Sequence, residues 1–197
     1  MPRFTKGMLN KVKCTSCKSG LLKPTFIDTI FRGHTCTSCG GNWILIQDYV
    51  SWKEKNPQYQ FAENISEAEV SEATDSKSAL LCPISGAIMQ KFKITAACEH
   101  RLDYSVSVGG LWLDKGEWEL LKSEGLAGSL NAVVTRQWQK KIRQESARQS
   151  FQDLYRAKFG EELYEEVRKT REWLQSQTQQ ADIRAYLLAE DPYSAER

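Results

Sequence analysis

The sequence predicts a small α+β protein in which two β-hairpin units in tandem are followed by a helical hairpin, and three features predict it. Two C-x-x-C pairs, Cys14/Cys17 and Cys36/Cys39, stand 18 residues apart. A G-G-x-W element occurs twice, at 40–43 and at 109–112. From about Leu130 to Gln177 there is no cysteine, no proline and no strand-like alternation. With 197 residues the chain has room for one ordinary domain or two small ones. Its 41% apolar and 26% charged residues match a globular average, which excludes a fibrous or wholly disordered chain. The longest apolar runs, such as W-I-L-I at 43–46 and A-Y-L-L-A at 185–189, are far too short to span a bilayer, so no membrane partner is expected. The basic start M-P-R-F-T-K-G-M-L-N-K-V-K lacks the apolar core of a signal peptide, so a cytoplasmic location is expected.

The cysteine pairs come first in the chain and carry the clearest chemistry. Two thiolates three positions apart on a tight knuckle aim both sulfurs at one ion, at about 2.3 Å each. A hairpin between the knuckles completes the tetrahedron, and the spacing fits a four-thiolate zinc site. Cys14, Cys17, Cys36 and Cys39 are therefore the expected ligands of one Zn2+. Four thiolates leave no open coordination position, which makes the ion structural rather than catalytic. The competing reading is a redox C-x-x-C, which needs a following helix in a βαβ setting. Here β-type residues and turns surround both pairs. Gly40 and Gly41 suit the turn after the second pair.

Internal similarity extends the pattern. C-T-S-C-G-G-N-W at 36–43 aligns with S-V-S-V-G-G-L-W at 105–112, and Cys14 aligns with Cys82, Cys17 with Ser85. The gap between knuckles is 18 residues in the first copy and 19 in the second. A duplicated unit is expected whose second copy has lost three of its four thiolates to Ser85, Ser105 and Val108. The valine points to apolar packing in place of the ion. Cys82, Cys98 and His100 are the ligands left for a rearranged site. Eight extended residues at about 3.3 Å each set Cys98 roughly 25 Å from the knuckles. Cys82 and Cys98 then share neither an ion nor a disulfide, and a metal-free second unit is expected. His34 is expected to be a strand residue rather than a ligand.

The run G-G-L-W-L-D-K-G-E-W-E-L-L from Gly109 to Leu121 resembles the transcription factor IIB-type zinc ribbon family of small bacterial domains. That pattern is C-P-x-C, a hairpin, then C-x-x-C-G-G-x-W-L-D-x-G-E-L. Its halves are divided here: the first copy keeps the cysteines, and the second keeps Cys82-Pro83 and the tail. The resemblance covers about residues 10–55 and 80–122. It implies a zinc ribbon fold and little about activity; with the ligand positions above, two zinc-ribbon-like β units are expected, one zinc-bound and one metal-free.

Four segments follow: ribbon 1 with a short helix at 1–61, an acidic linker at 62–79, ribbon 2 with a short helix at 80–128, and a helical region at 129–197. The linker is rich in Ser, Ala and Glu with no aromatic residue, as a solvated connection would be. A docking motif for a basic partner is its alternative reading. Asp114 and Glu117 have capping-box spacing ahead of Trp118, Leu120 and Leu121, and Gly125 suits the stop. A weaker equivalent runs from Asp48 through Trp52. Trp43 and Trp112 are expected to pack beside their own knuckles. In the last third, Val134, Trp138, Ile142, Phe151, Leu154, Tyr155 and Phe159 mark one amphipathic helix up to Gly160. Leu163, Val167, Trp173 and Leu174 mark a second, and 183–189 a short third.

The net charge of +2 hides basic segments offset by acidic ones. The first 55 residues carry nine Lys/Arg against three acids, and 136–158 carries seven against two. No nucleophile–His–acid set, phosphate-cradling loop or dinucleotide fingerprint is present, so neither catalysis nor a small-molecule substrate is expected. The expected role is that of a non-enzymatic zinc-binding adaptor or regulatory protein docking a protein partner through ribbons and basic helices. Nucleic acid is the alternative partner, reached through the same basic segments.

Overall fold

Strand β1 (Leu22–Ile27) turns back into β2 (Phe31–Cys36) through Asp28 and Thr29, both left-handed at φ 46° and 63°. After the second cysteine pair, β3 (Asn42–Leu45) pairs with β2 and runs straight into helix α1 (Ile46–Lys55). The same order recurs as β4 (Gln90–Lys93), β5 (Arg101–Ser105), β6 (Gly110–Leu113) and α2 (Glu117–Ser123). This computed structural model describes residues 12–61 and 73–193. They divide into two compact units, one ending at Ser146 and the other beginning at Ala147.

In the first unit the strands form one antiparallel sheet in the order β1-β2-β3-β6-β5-β4. The two hairpin units are thus halves of a single sheet, joined where β3 pairs with β6 in the register Trp43↔Trp112 and Ile44↔Leu111. Because side chains alternate across a strand, this joint feeds two cores at once. Ile44, Leu111 and Leu113 enter a cluster with Phe31, Tyr49, Ile94, Leu102, Trp118 and Leu121. Trp43 and Trp112 enter the opposite one with Cys14, Leu22, Cys36, Cys82 and Met89. All four residues of β6 are buried, as a central strand covered on both faces must be.

The glycine pairs acquire their meaning here. The first of each pair is left-handed, Gly40 at φ 73° and Gly109 at φ 64°. The second makes room for the other half's tryptophan. A Cβ on Gly41 would stand 2.3 Å from Trp112 Cζ2, and one on Gly110 would stand 2.0 Å from Trp43 Cζ2. Each indole therefore lies across the partner half's glycine as well as beside its own knuckle.

The capping box forms by half. The Asp114 amide donates to Glu117 Oε2 at 2.8 Å, but the Asp114 carboxylate accepts from Trp112 Nε1 and from the Ser76 amide, both at 2.7 Å. Gly116, left-handed at φ 86°, occupies the N-cap instead. The two halves are further tied by Trp118 Nε1 donating to Asp28 Oδ2 at 2.7 Å and by Tyr49 Oη donating to the Ala127 carbonyl at 2.8 Å. Residues 62–72 of the expected linker, like the basic residues 1–11, lie outside the described residues. The part that follows is bound to the sheet: the Thr74 amide donates to Lys115 O, and Lys91 Nζ donates to Ser76 O.

A 3-10 turn (Ala127–Ser129) and the short α3 (Leu130–Val133) close the aliphatic core. Helix α4 (Arg136–Phe159) begins in this unit. Its Trp138 Nε1 donates to Ile94 O at 3.1 Å, and Gln139 brackets Lys93, donating to its carbonyl at 2.8 Å and accepting from its amide at 3.1 Å. Those bonds satisfy the outer edge of β4, which would otherwise present unpaired backbone.

In the second unit, the end of α4, α5 (Glu161–Ser176) and α6 (Gln180–Leu188) match the three predicted helices. Gly160 breaks the run with φ 75° and ψ 161°. Helices α4 and α5 are not the packed hairpin expected, because their backbones do not lie side by side. A cleft of about 710 Å³ opens between them instead.

The glycine–tryptophan exchange makes a specific prediction. Gly41→Ala and Gly110→Ala each cost about 3 kcal/mol, the upper end for overpacking. Gly109→Ala, with nothing near its missing Cβ, costs about 1–2 kcal/mol of backbone strain. Urea unfolding followed by tryptophan fluorescence measures all three. Trp112→Leu suppresses the added cost of Gly41→Ala and leaves that of Gly110→Ala in place.

Candidate metal centre

Each cysteine pair sits on a knuckle closed by its own hydrogen bonds. The Cys14 amide donates to Gly20 O at 2.8 Å and the Cys36 amide to Gly41 O at 2.8 Å. Within the knuckles, amides point at sulfur: Cys17 N to Cys14 Sγ and Gly20 N to Cys17 Sγ at 3.4 Å, Ser38 N to Cys36 Sγ at 3.4 Å, Cys39 N to Cys36 Sγ at 3.5 Å. The sulfurs of Cys14 and Cys39 are 3.7 Å apart and those of Cys17 and Cys36 are 3.6 Å apart. All four lie within 4.8 Å of one another. A zinc ion with four sulfurs at about 2.3 Å needs tetrahedral edges of about 3.8 Å, which the Cys14–Cys39 and Cys17–Cys36 separations match. Gly20 is part of that fit, since a Cβ there would stand 2.3 Å from Cys36 Sγ.

The electrostatics also call for a cation. Burial pushes the Cys14 and Cys39 thiols up, whereas the Ser19 hydroxyl and the Gly20 amide pull Cys17 down to about 6. Zinc supplies the charge that lets all four titrate to thiolates together and closes its own coordination shell with them. Cys14 and Cys36 are buried while Cys17 and Cys39 are half-buried.

The second half places different groups at the aligned positions. Cys82 repeats the first knuckle's backbone: its amide donates to Ala87 O at 2.7 Å, and the Ser85 amide points at its sulfur at 3.3 Å. Hydroxyls then replace sulfurs, with Ser107 bridging Ser85 at 2.9 Å and Ser105 at 3.2 Å. Burial pushes the Cys82 thiol up, but bonds from Ser105 and Ser85 outweigh it and leave it below its ordinary value. Polar contacts as well as Val108 thus fill this position, where the sequence pointed to apolar packing alone. Cys98 packs against the aliphatic cluster and Cys82 belongs to the tryptophan cluster. Among the described residues, Cys82, Cys98 and His100 form no ligand group. His34 stands on β2 opposite Trp43, outside the four-sulfur cluster.

A second group of titratable residues went unread in the sequence. Carboxylate oxygens of Asp75, Asp114 and Glu117 lie within 4.8 Å of one another. Burial raises Glu117 to about 7, and it raises the neighbouring Asp103 to about 6 against the pull of Lys91. The Glu117 carboxylate in turn holds His100 above its ordinary value. The only sequence signal for this group was the D-x-x-E spacing, which also describes a helix cap.

Comparison with known families places the first half. Residues 13–55 match the family model described as a transcription factor zinc-finger. This segment is a transcription factor IIB-type zinc ribbon. Searches of the curated proteins and of the solved structures give no match. The zinc ribbon's match runs from just before the first knuckle to the end of α1, so the helix belongs to the unit with the four ligands.

One thiolate-bound zinc per chain is the expected stoichiometry. Cys36→Ser abolishes it and unfolds β1–β3, whereas Cys82→Ser and Cys98→Ser leave the zinc count unchanged. Elemental analysis after desalting reads the count, and Trp43 fluorescence during chelator titration reads the unfolding. Acidification releases the ion, because protons compete for the same sulfurs.

Proposed function

We propose that the protein is a non-enzymatic adaptor in which the zinc-stabilised sheet is the scaffold and the second unit docks a protein partner. The observation that carries this is the apolar face left open between α4 and α5. Phe151 is 60% exposed, and Tyr155, Phe159 and Val167, which line the same cleft, are exposed as well. Exposed apolar surface on this scale marks interaction sites in folded proteins. Arg148 and Arg171 rim the cleft that Phe151, Tyr155, Phe159 and Val167 line, while Arg168 beside them is paired with Glu165 and Glu172. That combination suits an amphipathic helix with acidic flanks, laid with its apolar face in the groove. The zinc, sealed by four sulfurs, has no position for a substrate.

We also infer that the second half is a degenerate copy of the ribbon. The shared strand order, the left-handed first glycines and the repeated Cys82 knuckle support that descent. A nucleic-acid role, the second reading, draws on the Lys and Arg residues of α4, with Tyr155 and Phe159 available for stacking.

Affinity capture with the full chain and with a Phe151→Asp, Val167→Asp variant tests docking. Both positions are exposed, so the variant retains its zinc and its helical circular dichroism. The wild type is expected to hold one partner that the variant loses, and the purified pair to reconstitute. Equal capture by both chains refutes docking at this face. Binding of random oligonucleotides that falls steeply with salt and ignores the two substitutions establishes the nucleic-acid reading instead.

A further inference from the structure

Outside the zinc centre, unsatisfied polar atoms converge where segment 73–76 crosses the junction of β6 and α2. Asp75 Oδ1, Glu117 Oε1 and His100 Nδ1 are each buried without a hydrogen-bond partner. Glu117 is only 1% exposed and Asp114 5%. His100 Nδ1 is 3.7 Å from Glu117 Oε1, within ion-pair range and beyond hydrogen-bond reach. The remaining oxygens are held from behind: both Asp114 oxygens by Trp112 Nε1 and the Ser76 amide, and Glu117 Oε2 by the Asp114 amide. Those bonds fix the carboxylates while leaving lone pairs turned toward one another. Asp103, 1% exposed with its Oδ1 also unpartnered, adds negative charge, and Lys91 at 2.8 Å from its Oδ2 offsets part of it.

Three carboxylates so close, two of them almost fully buried, are costly as anions unless a cation joins them. Hydrogen bonding within the group does not remove the cost, because the orphaned atoms are the ones that face inward. A divalent cation removes it, supplying the charge and a bond to the orphaned oxygens of Asp75 and Glu117. The donors are carboxylate oxygens, with no sulfur. Such a set favours Mn2+ over the soft-ligand ions that thiolates select. We propose that Asp75, Asp114 and Glu117 form a second metal site, for one divalent cation of the Mn2+ type, chemically separate from the zinc ribbon. Its ligands come from segment 73–76, the residue after β6 and the start of α2, so the ion clamps the chain between the two hairpins onto the second half.

The test titrates Mn2+ into the zinc-loaded full chain and follows the free-ion signal by electron paramagnetic resonance. One Mn2+ per chain beyond the zinc is expected. Asp75→Asn and Glu117→Gln each weaken it at least about tenfold, with zinc content and near-ultraviolet circular dichroism unchanged in Asp75→Asn. Asp75 is only half-buried and lies outside the sheet, so that variant remains informative if Glu117→Gln fails to fold. No uptake at millimolar Mn2+, or equal uptake by the wild type and Asp75→Asn, overturns the site.

Discussion

The exchange of tryptophans across the β3–β6 pair is the constraint on which the rest of the first unit depends. Each indole is completely buried and lies over a glycine that belongs to the other half. Burying some 200 Å² of aromatic surface at about 25 cal/mol per Å² is worth at most about 5 kcal/mol for each ring. The pairing also fixes register, since a slip of β6 by one residue against β3 would turn Trp112 to the aliphatic face and drive Leu111 among the cysteines. One strand pair therefore aligns the thiolate-rich layer on one face and the helix-covered core on the other.

This joint matters because the two halves do not have equal means. A structural zinc site contributes about 10–16 kcal/mol to folding. The hydroxyl chain through Ser85, Ser107 and Ser105 occupies the aligned place in the second half, and its bonds contribute about 1 kcal/mol each. Hydroxyls keep the knuckle's shape without replacing the metal's energy. The second half is stabilised elsewhere, by α2, α3 and the 73–76 segment packed or bonded against it, and by sharing a sheet with the half that holds the ion. Thr15 of the first knuckle, donating to the Leu81 carbonyl, draws the two knuckle regions together directly.

What the sequence made legible follows the range of the interactions. Four cysteines at knuckle spacing announce their chemistry because every donor is local to its own turn. The G-G-x-W repeat was visible as a repeat, but the second glycine's purpose depends on an indole 71 residues away from Gly41 (112 − 41). The D-x-x-E pair was read as a helix cap, and only half of that cap forms, because Ser76 and Trp112 claim the aspartate. Ser76 belongs to a stretch whose composition suggested a solvated linker, so nothing in the local pattern brought Asp75 to Glu117.

Helix α4 shows the same limit within a single element. Its apolar residues recur with one helical period from Trp138 to Phe159, yet their surroundings differ. Ile142 is buried and Trp138 is bonded to Ile94, whereas Phe151 and Tyr155 face an open cleft. Periodicity states that a face is apolar and says nothing of what covers it. The arginines at the cleft rim keep a charged border around that face, which limits non-specific association of an exposed aromatic surface. Structural and interactive work thus fall on different stretches of the chain. The part ending at Ser146 packs most of its described aromatic residues, and the part after it leaves most of them uncovered.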